Sequence, residues 1–266
     1  MNCPPTAPFN LVHFNTQSLP SHQLAAWQAL ANSADHHPSL PSTPLLYVLV
    51  ETGHLTPTLT RGWTPFHLSG PPPKSKNGIG GGGITLLYHS DCPLRILLPH
   101  TTRIDSLVPT DPASSSVVCA IVRPKHRSPF LLAAVYLPPQ CARNPTYLTI
   151  ITSHIEAAIQ SHPSLPLLIV GDFNCHHADW HCPMALQPPI PGSPPAASHC
   201  ANTLAAWIDD VGLDIANPPD MPTRVALLSS GALQRSTIDL VLCTPGLVST
   251  VSQRHSSYLR DRKSVV

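Results

Sequence analysis

The stretch Leu167–Trp180, LLIVGDFNCHHADW, constrains the fold of this 266-residue chain more than any other. Four consecutive apolar residues, Leu167 to Val170, run into Gly171-Asp172-Phe173-Asn174. A short apolar run ended by glycine reads as a buried strand whose C-terminal end opens into a loop. In layered α/β proteins, loops at that end of a strand are a preferred place for chemistry. Asp172 and Asn174 then present a carboxylate and a carboxamide two residues apart, which alternation along an extended segment turns to one side. Such a pair suits an enzyme that deprotonates water and steadies a charged transition state.

Similar strand-like runs recur at Phe9–Phe14, Leu45–Val50, Ile84–Tyr88, Leu94–Leu98, Val117–Val122, Leu131–Tyr136 and Ile238–Leu242. Helical spacing is clearest in three places. Leu24, Trp27 and Ala31 follow Ser21, a plausible N-cap; Tyr147, Ile150, Ile151, His154, Ile155, Ala158 and Ile159 form a stripe; Leu204, Trp207, Ile208 and Val211 form another, closed by Gly212. These stripes read as core packing. Many strands with helices between and after them imply two packed sheets flanked by helices. The length suits one sizeable core, with no internal repeat and no domain boundary in sight. Gly78–Gly83 lacks the lysine and Ser/Thr of a phosphate loop and reads as glycines entering a strand.

Charge excludes little. Fifteen Lys and Arg against 14 Asp and Glu give a formal +1, without the strong basic excess frequent in nucleic-acid binders. A local rim of Lys74, Lys76, Arg123, Lys125 and Arg127 could meet a phosphate backbone, although the same five read equally well as solvated loop charges. Eight cysteines without a CxxC pair, no secretory core and no apolar run long enough to span a bilayer imply an intracellular chain with reduced thiols.

Further motifs stand in order around the GDFN segment. Leu11-Val12-His13-Phe14-Asn15 is a short strand ending in asparagine, followed by Gln17-Ser18-Leu19. Tyr47 to Val50 ends in Glu51-Thr52, and a glycine-led strand runs from Gly81 through Tyr88. Ala133-Ala134-Val135-Tyr136-Leu137-Pro138-Pro139 and Ser236-Thr237-Ile238-Asp239-Leu240 complete the series, with His176, His177 and Trp180 trailing GDFN. This ordered set spans residues 11 to 242 and resembles the endonuclease/exonuclease/phosphatase superfamily, most closely the endonuclease of non-LTR retrotransposons.

The resemblance implies an α/β four-layer sandwich, two packed antiparallel or mixed β-sheets flanked by helices, with its site at one edge where strand ends converge. It implies a DNA endonuclease dependent on Mg2+, or Mn2+ in its place, with DNA as partner, a fused reverse-transcriptase domain in the full element, no membrane association and a nuclear location. Glu51 would hold the metal, helped by Asn15. Asp172 would accept the proton of the attacking water and Asn174 would orient that water or the scissile phosphate. Tyr136 would donate to the phosphate, and Asp239 would hold a catalytic histidine in its working tautomer. His177 and Trp180 would touch DNA or brace their loop.

The sequence departs from the pattern in one respect. The histidine partner of Asp239 belongs in a Ser-Asp-His motif downstream, and none follows; His255-Ser256-Ser257 has the wrong order. One back-translation of Asp261–Val266, GATCGGAAGAGCGTCGTG, resembles a sequencing-library adapter. The expectation is a domain over residues 1–260 that lacks its last strand, a non-native tail over 261–266, and impaired activity. Two other readings compete: a non-catalytic relic of such a domain, or another phosphoesterase of the superfamily. From a different class, Cys175, His176, His177, His181 and Cys182 offer soft and imidazole ligands for zinc, though without the second distant pair of structural zinc sites.

Overall fold

Strands that are apolar without interruption must be covered on both faces, and this chain covers them with a second sheet on one side and helices on the other. A computed structural model describes residues 11–15, 46–52, 62–71, 82–105, 114–125, 127–180, 199–218, 222–227 and 233–247. One sheet contains β1 (Leu11–Asn15), β2 (Leu46–Val50), β3 (Trp63–Leu68) and β4 (Ile84–His89) in the order β1-β2-β4-β3. Its β1–β2 pair is parallel and the others are antiparallel.

Among the described residues the larger sheet has seven strands: β5 (Leu94–Ile96), β6 (Thr102–Ile104), β7 (Ser115–Val122), β8 (Phe130–Tyr136), β9 (Leu167–Asp172), β10 (Asp214–Ile215) and β13 (Asp239–Cys243). They run in the order β10-β13-β9-β8-β7-β5, with β6 also on β7; β8 and β9 are parallel and every other pair is antiparallel. A separate hairpin joins β11 (Arg224–Leu227) to β12 (Leu233–Ser236). The parallel β8–β9 pair requires a crossover, which helix α1 (Pro145–Ser161) supplies. Asn144 starts that helix: its side chain accepts the Thr146 N–H at 3.1 Å, and Pro145 occupies the first turn, where a missing N–H costs nothing. Helix α2 (His199–Val211) ends at Gly212, whose φ of 71° is the left-handed conformation of a helix stop.

Alternation sorts the strands between two cores. Leu131, Ala133 and Val135 of β8 join Ile151 and Ile155 of α1 and Leu204 and Ile208 of α2. Phe130, Leu132, Ala134 and Tyr136 face the other way, against Val48, Val50, Ile84 and Leu86 of the four-stranded sheet. The expected α/β architecture of two packed, mixed sheets with helices is thus present.

Several boundaries differ from expectation. The run Leu94–Leu98 stops as a strand at Ile96 and continues in a 3-10 turn over Leu98–His100. The strand expected to end at Val170 continues through Gly171 and Asp172. The helix read after Ser21, Phe9 and Asn10 of the first run, and Gly78–Gly81 lie outside the described residues. Strands β3, β6, β10, β11 and β12 were not anticipated.

Candidate active site

Five separated segments deliver their polar residues to one edge of the space between the sheets. On β9, Leu168 and Val170 face the four-stranded sheet, so alternation turns Asp172 the same way. Register places Tyr136 of β8 and Asp239 of β13 directly beside it, one on each flank. Tyr136, Asp172 and Asp239 therefore form a row across three adjacent strands at one level. From the opposite sheet, Asn15 ends β1 on the face that carries Leu11, and Glu51 follows β2.

Contacts close the group. The Asn15 amide donates to Asp172 Oδ2 at 2.6 Å, linking the sheets, and the Asn174 backbone N–H donates to Asp172 Oδ1 at 3.0 Å. The Tyr136 hydroxyl donates to Glu51 Oε1 at 2.8 Å. Asp172 is only 2% exposed. Burial pushes its carboxyl well above the usual carboxylate range, and the negative charges of Asp239 and Glu51 push the same way; the Asn174 N–H and the Asn15 amide pull against them. The Tyr136 phenol is also raised, first by burial and then by Glu51 and Asp172. A tyrosine 4% exposed is no wet strand-end hydroxyl.

Asn15, Glu51, Tyr136, Asp172, Asn174 and Asp239 thus meet in space. The reason for the Asp172–Asn174 spacing is different from the one read from sequence. The segment is not extended at Asn174, whose φ is 48°; the chain turns there, and the turn folds the Asn174 N–H back onto Asp172. Its side-chain amide donates to the Leu137 carbonyl at 3.0 Å, tying the loop to the end of β8.

For Trp180 the sequence left two readings open, contact with DNA or bracing of its loop. It is 3% exposed and its indole N–H donates to the Cys175 carbonyl at 3.1 Å. A residue so placed braces the loop and offers DNA no surface. His177 packs on it, ring centroids 4.9 Å apart, and sits 3.2 Å from Asp179. The described members of the basic rim lie apart from this row. Arg123, Lys125 and Arg127 lie at the turn where Val122 pairs with Phe130, whereas Tyr136 pairs with Ser116 at the other end of the same ladder. Six residues of strand put those charges about 20 Å away from the acidic row. Lys74 and Lys76 lie outside the described residues.

For zinc, no group of three or more His, Cys, Asp or Glu among the described residues is arranged to hold a metal ion. The Cys175 thiol points into the core, where a hydrogen bond with Cys200 and then burial raise it. His181 and Cys182 lie outside the described residues.

The family model described as endonuclease-reverse transcriptase matches residues 130–263, half of the chain and the half that carries Tyr136, Asp172, Asn174 and Asp239. The chain belongs to that family. It is a member of the endonuclease/exonuclease/phosphatase superfamily. Its fold is similar to the endonuclease domain of TRAS1, a telomere-specific non-LTR retrotransposon, with a TM-score of 0.57 and 16% identity over 90% of this chain and 86% of that one. It is similar to the human nocturnin catalytic domain, with a TM-score of 0.56 and 14% identity over 90% and 83%. A mannosyl-6-phosphatase from Bacteroides thetaiotaomicron follows at 0.52 and 10% identity over 90% and 86%. At these identities the likeness is one of fold. No curated protein sequence matches the chain.

This member of the endonuclease-reverse transcriptase family also uses residues that sequence reading missed. Thr223 Oγ1 accepts the backbone N–H groups of Ile238 and Asp239 at 2.9 and 3.0 Å. Asn217 grips the next stretch, donating to the Asp239 carbonyl at 3.0 Å and accepting from Val241 N–H at 2.7 Å. Together they fix the strand that carries Asp239. Each is a lone polar residue in a loop, and no periodicity marks it.

Proposed function

We propose that this chain is a metal-dependent phosphodiesterase that nicks DNA, in the manner of an endonuclease serving retrotransposon insertion, and that it acts in the nucleus. The observation that carries the reading is the buried Asp172 carboxylate, held by Asn15 from the opposite sheet and crowded by Asp239 and Glu51. Placing several acidic groups together inside a protein is costly, and the arrangement makes chemical sense if a cation and a proton transfer are part of its task.

The donor set fits a hard divalent ion. Glu51 and the carboxamide of Asn15 are oxygen donors at the cleft edge, and magnesium usually takes one or two carboxylates, leaving its remaining positions to water and substrate oxygens. Bound there, the ion would neutralise charge developing on the phosphoryl oxygens. A raised carboxyl is suited to general-base work, since transfer is most effective when the base titrates nearer the working pH. Asp172 accepts the proton from water, and Asn174 orients that water or the phosphate. Tyr136, which donates to Glu51 in this structure, turns its phenol to a phosphate oxygen when substrate enters. Asp239 would orient a histidine.

A supercoiled-plasmid nicking assay with Mg2+ and enzyme in excess tests the reading. Nicking is expected to vanish in EDTA and to fall by about 10²-fold or more in Asp172→Ala and Glu51→Ala. Nicking that neither substitution alters would end the proposal. A folded chain that never nicks would favour a non-catalytic relic, and cleavage of phosphate monoesters in place of plasmid would favour another phosphoesterase of the superfamily.

A further inference from the structure

Glu51 reaches the cleft by an unusual route. On β2, Leu46, Val48 and Val50 face the larger sheet, so strict alternation would send residue 51 to the opposite, outer face. It does not go there, because its oxygen receives the Tyr136 hydroxyl from the larger sheet. The chain achieves this by taking Glu51 into the left-handed region, with φ at 57°. A non-glycine residue persists in that conformation only where its surroundings over-determine it.

The outer face supplies what the inner face lacks. Phe66 and Leu68 of β3 and Ile84 and Leu86 of β4 face inward, so their neighbours His67 and Thr85 face outward, paired in register. His67 Nδ1 lies 2.8 Å from Thr85 Oγ1, and the Thr85 hydroxyl donates to Thr52 Oγ1 at 3.1 Å. A hydroxyl has one proton, so with Thr85 donating to Thr52 the bond from His67 must be Nδ1–H to Thr85. The Thr52 N–H donates to the Gly83 carbonyl at 3.4 Å. Glu51 is therefore gripped by Tyr136 on one side, while the residue after it is gripped by an imidazole–hydroxyl–hydroxyl relay on the other.

We propose that His67 and Thr85, acting through Thr52, are positioning residues that hold the Glu51 carboxylate in the cleft from the outer face of the four-stranded sheet. The inference rests on the reading of Glu51 as a cation ligand. Its consequence is that removing a hydroxyl that touches neither cation nor DNA weakens cation binding at Glu51.

The test uses the full chain and Mn2+ alone, with free Mn2+ read by electron paramagnetic resonance and Glu51→Ala defining the site. The wild type is expected to show a Mn2+ site that Glu51→Ala removes. Thr85→Val and His67→Phe are expected to weaken it about tenfold, in the range found when groups that orient metal ligands are lost. Thr85→Ser restores the hydroxyl, and His67→Asn puts an N–H donor where Nδ1–H stood; both are expected to return affinity toward wild type. Should Thr85→Val fail to fold, Thr52→Val breaks the same relay at a residue that is only half-buried. Val variants that bind Mn2+ like wild type, beside a Glu51-dependent wild-type site, overturn this inference alone. Absence of any Glu51-dependent site overturns it together with the metal reading beneath it.

Discussion

Gly171→Ala is the sharpest test of how the fold places Asp172. Gly171 lies inside β9, opposite Val135 of β8. A Cβ added there would stand 2.2 Å from the Val135 carbonyl oxygen and 2.8 Å from the Val135 carbonyl carbon and Cβ, against the 3.4 Å at which ordinary contact begins. The obstacle is backbone in a strand bonded on both sides, to β7 and β9, so no rotamer change relieves it. The two strands must part by about 1 Å. Overpacking of that kind costs about 1–3 kcal/mol. Parting also stretches the neighbouring bond from Leu137 N–H to the Asp172 carbonyl, now 2.8 Å, a further loss of about 1 kcal/mol. The sum is about 3 kcal/mol, which for a chain of this size lowers the melting temperature by about 6–12 °C. Thermal unfolding followed by circular dichroism measures it. Because Tyr136 and Asp172 lose their common level, Mg2+-dependent nicking should fall as well. A variant melting within about 2 °C of wild type would refute the close-approach argument.

Two more outcomes are expected. His13 sits on β1 with Nε2 sealed from solvent, and burial depresses its pKa from 6.5 to about 4. The unfolded chain therefore takes up a proton that the folded chain refuses, and the stability His13 contributes above pH 6.5 is lost as pH falls toward 4, by up to about 3 kcal/mol. Urea unfolding in EDTA should show wild type losing stability relative to His13→Leu across that window; a constant difference between the two would contradict the assignment. Trp180→Phe should destabilise the chain by about 1 kcal/mol through loss of the hydrogen bond to Cys175, and Trp180→Ala by about 3–5 kcal/mol. Neither should change DNA affinity by itself in low salt under conditions where the variant is folded, and a selective loss of binding would restore Trp180 to the DNA surface.

Much of the architecture was legible before any coordinates. The runs around Leu46–Val50, Val117–Val122, Leu131–Tyr136 and Leu167–Val170 are strands because a stretch apolar at every position can only be satisfied between two covering layers. Helices α1 and α2 were readable from their stripes and from Gly212. Strand β3, WTPFHL, escaped because it mixes aromatic, polar and proline residues; its signal was the alternation of Thr64, Phe66 and Leu68, and Pro65 is tolerated because β3 is an edge strand. The short hairpin β11–β12 and the two-residue β10 carry too few residues for any period to emerge. The place of the basic cluster was not legible because charge has no direction in a sequence: Arg123, Lys125 and Arg127 are near Tyr136 along the chain and at the far end of the ladder in space.

The order and chemical type of its motifs, through their resemblance to a known family, indicated from sequence alone which residues this chain would gather, because side-chain chemistry is a local property. What only the tertiary structure decided is how they are held. Register set Tyr136 and Asp239 on either side of Asp172, the approach of two backbones required Gly171, and a left-handed turn brought Glu51 inward against its own alternation. The anchors of that turn, His67, Thr85 and Thr52, lie on three segments and share no pattern. Contacts between distant segments arise from the distances that packing imposes, and no local property of the chain encodes them one residue at a time.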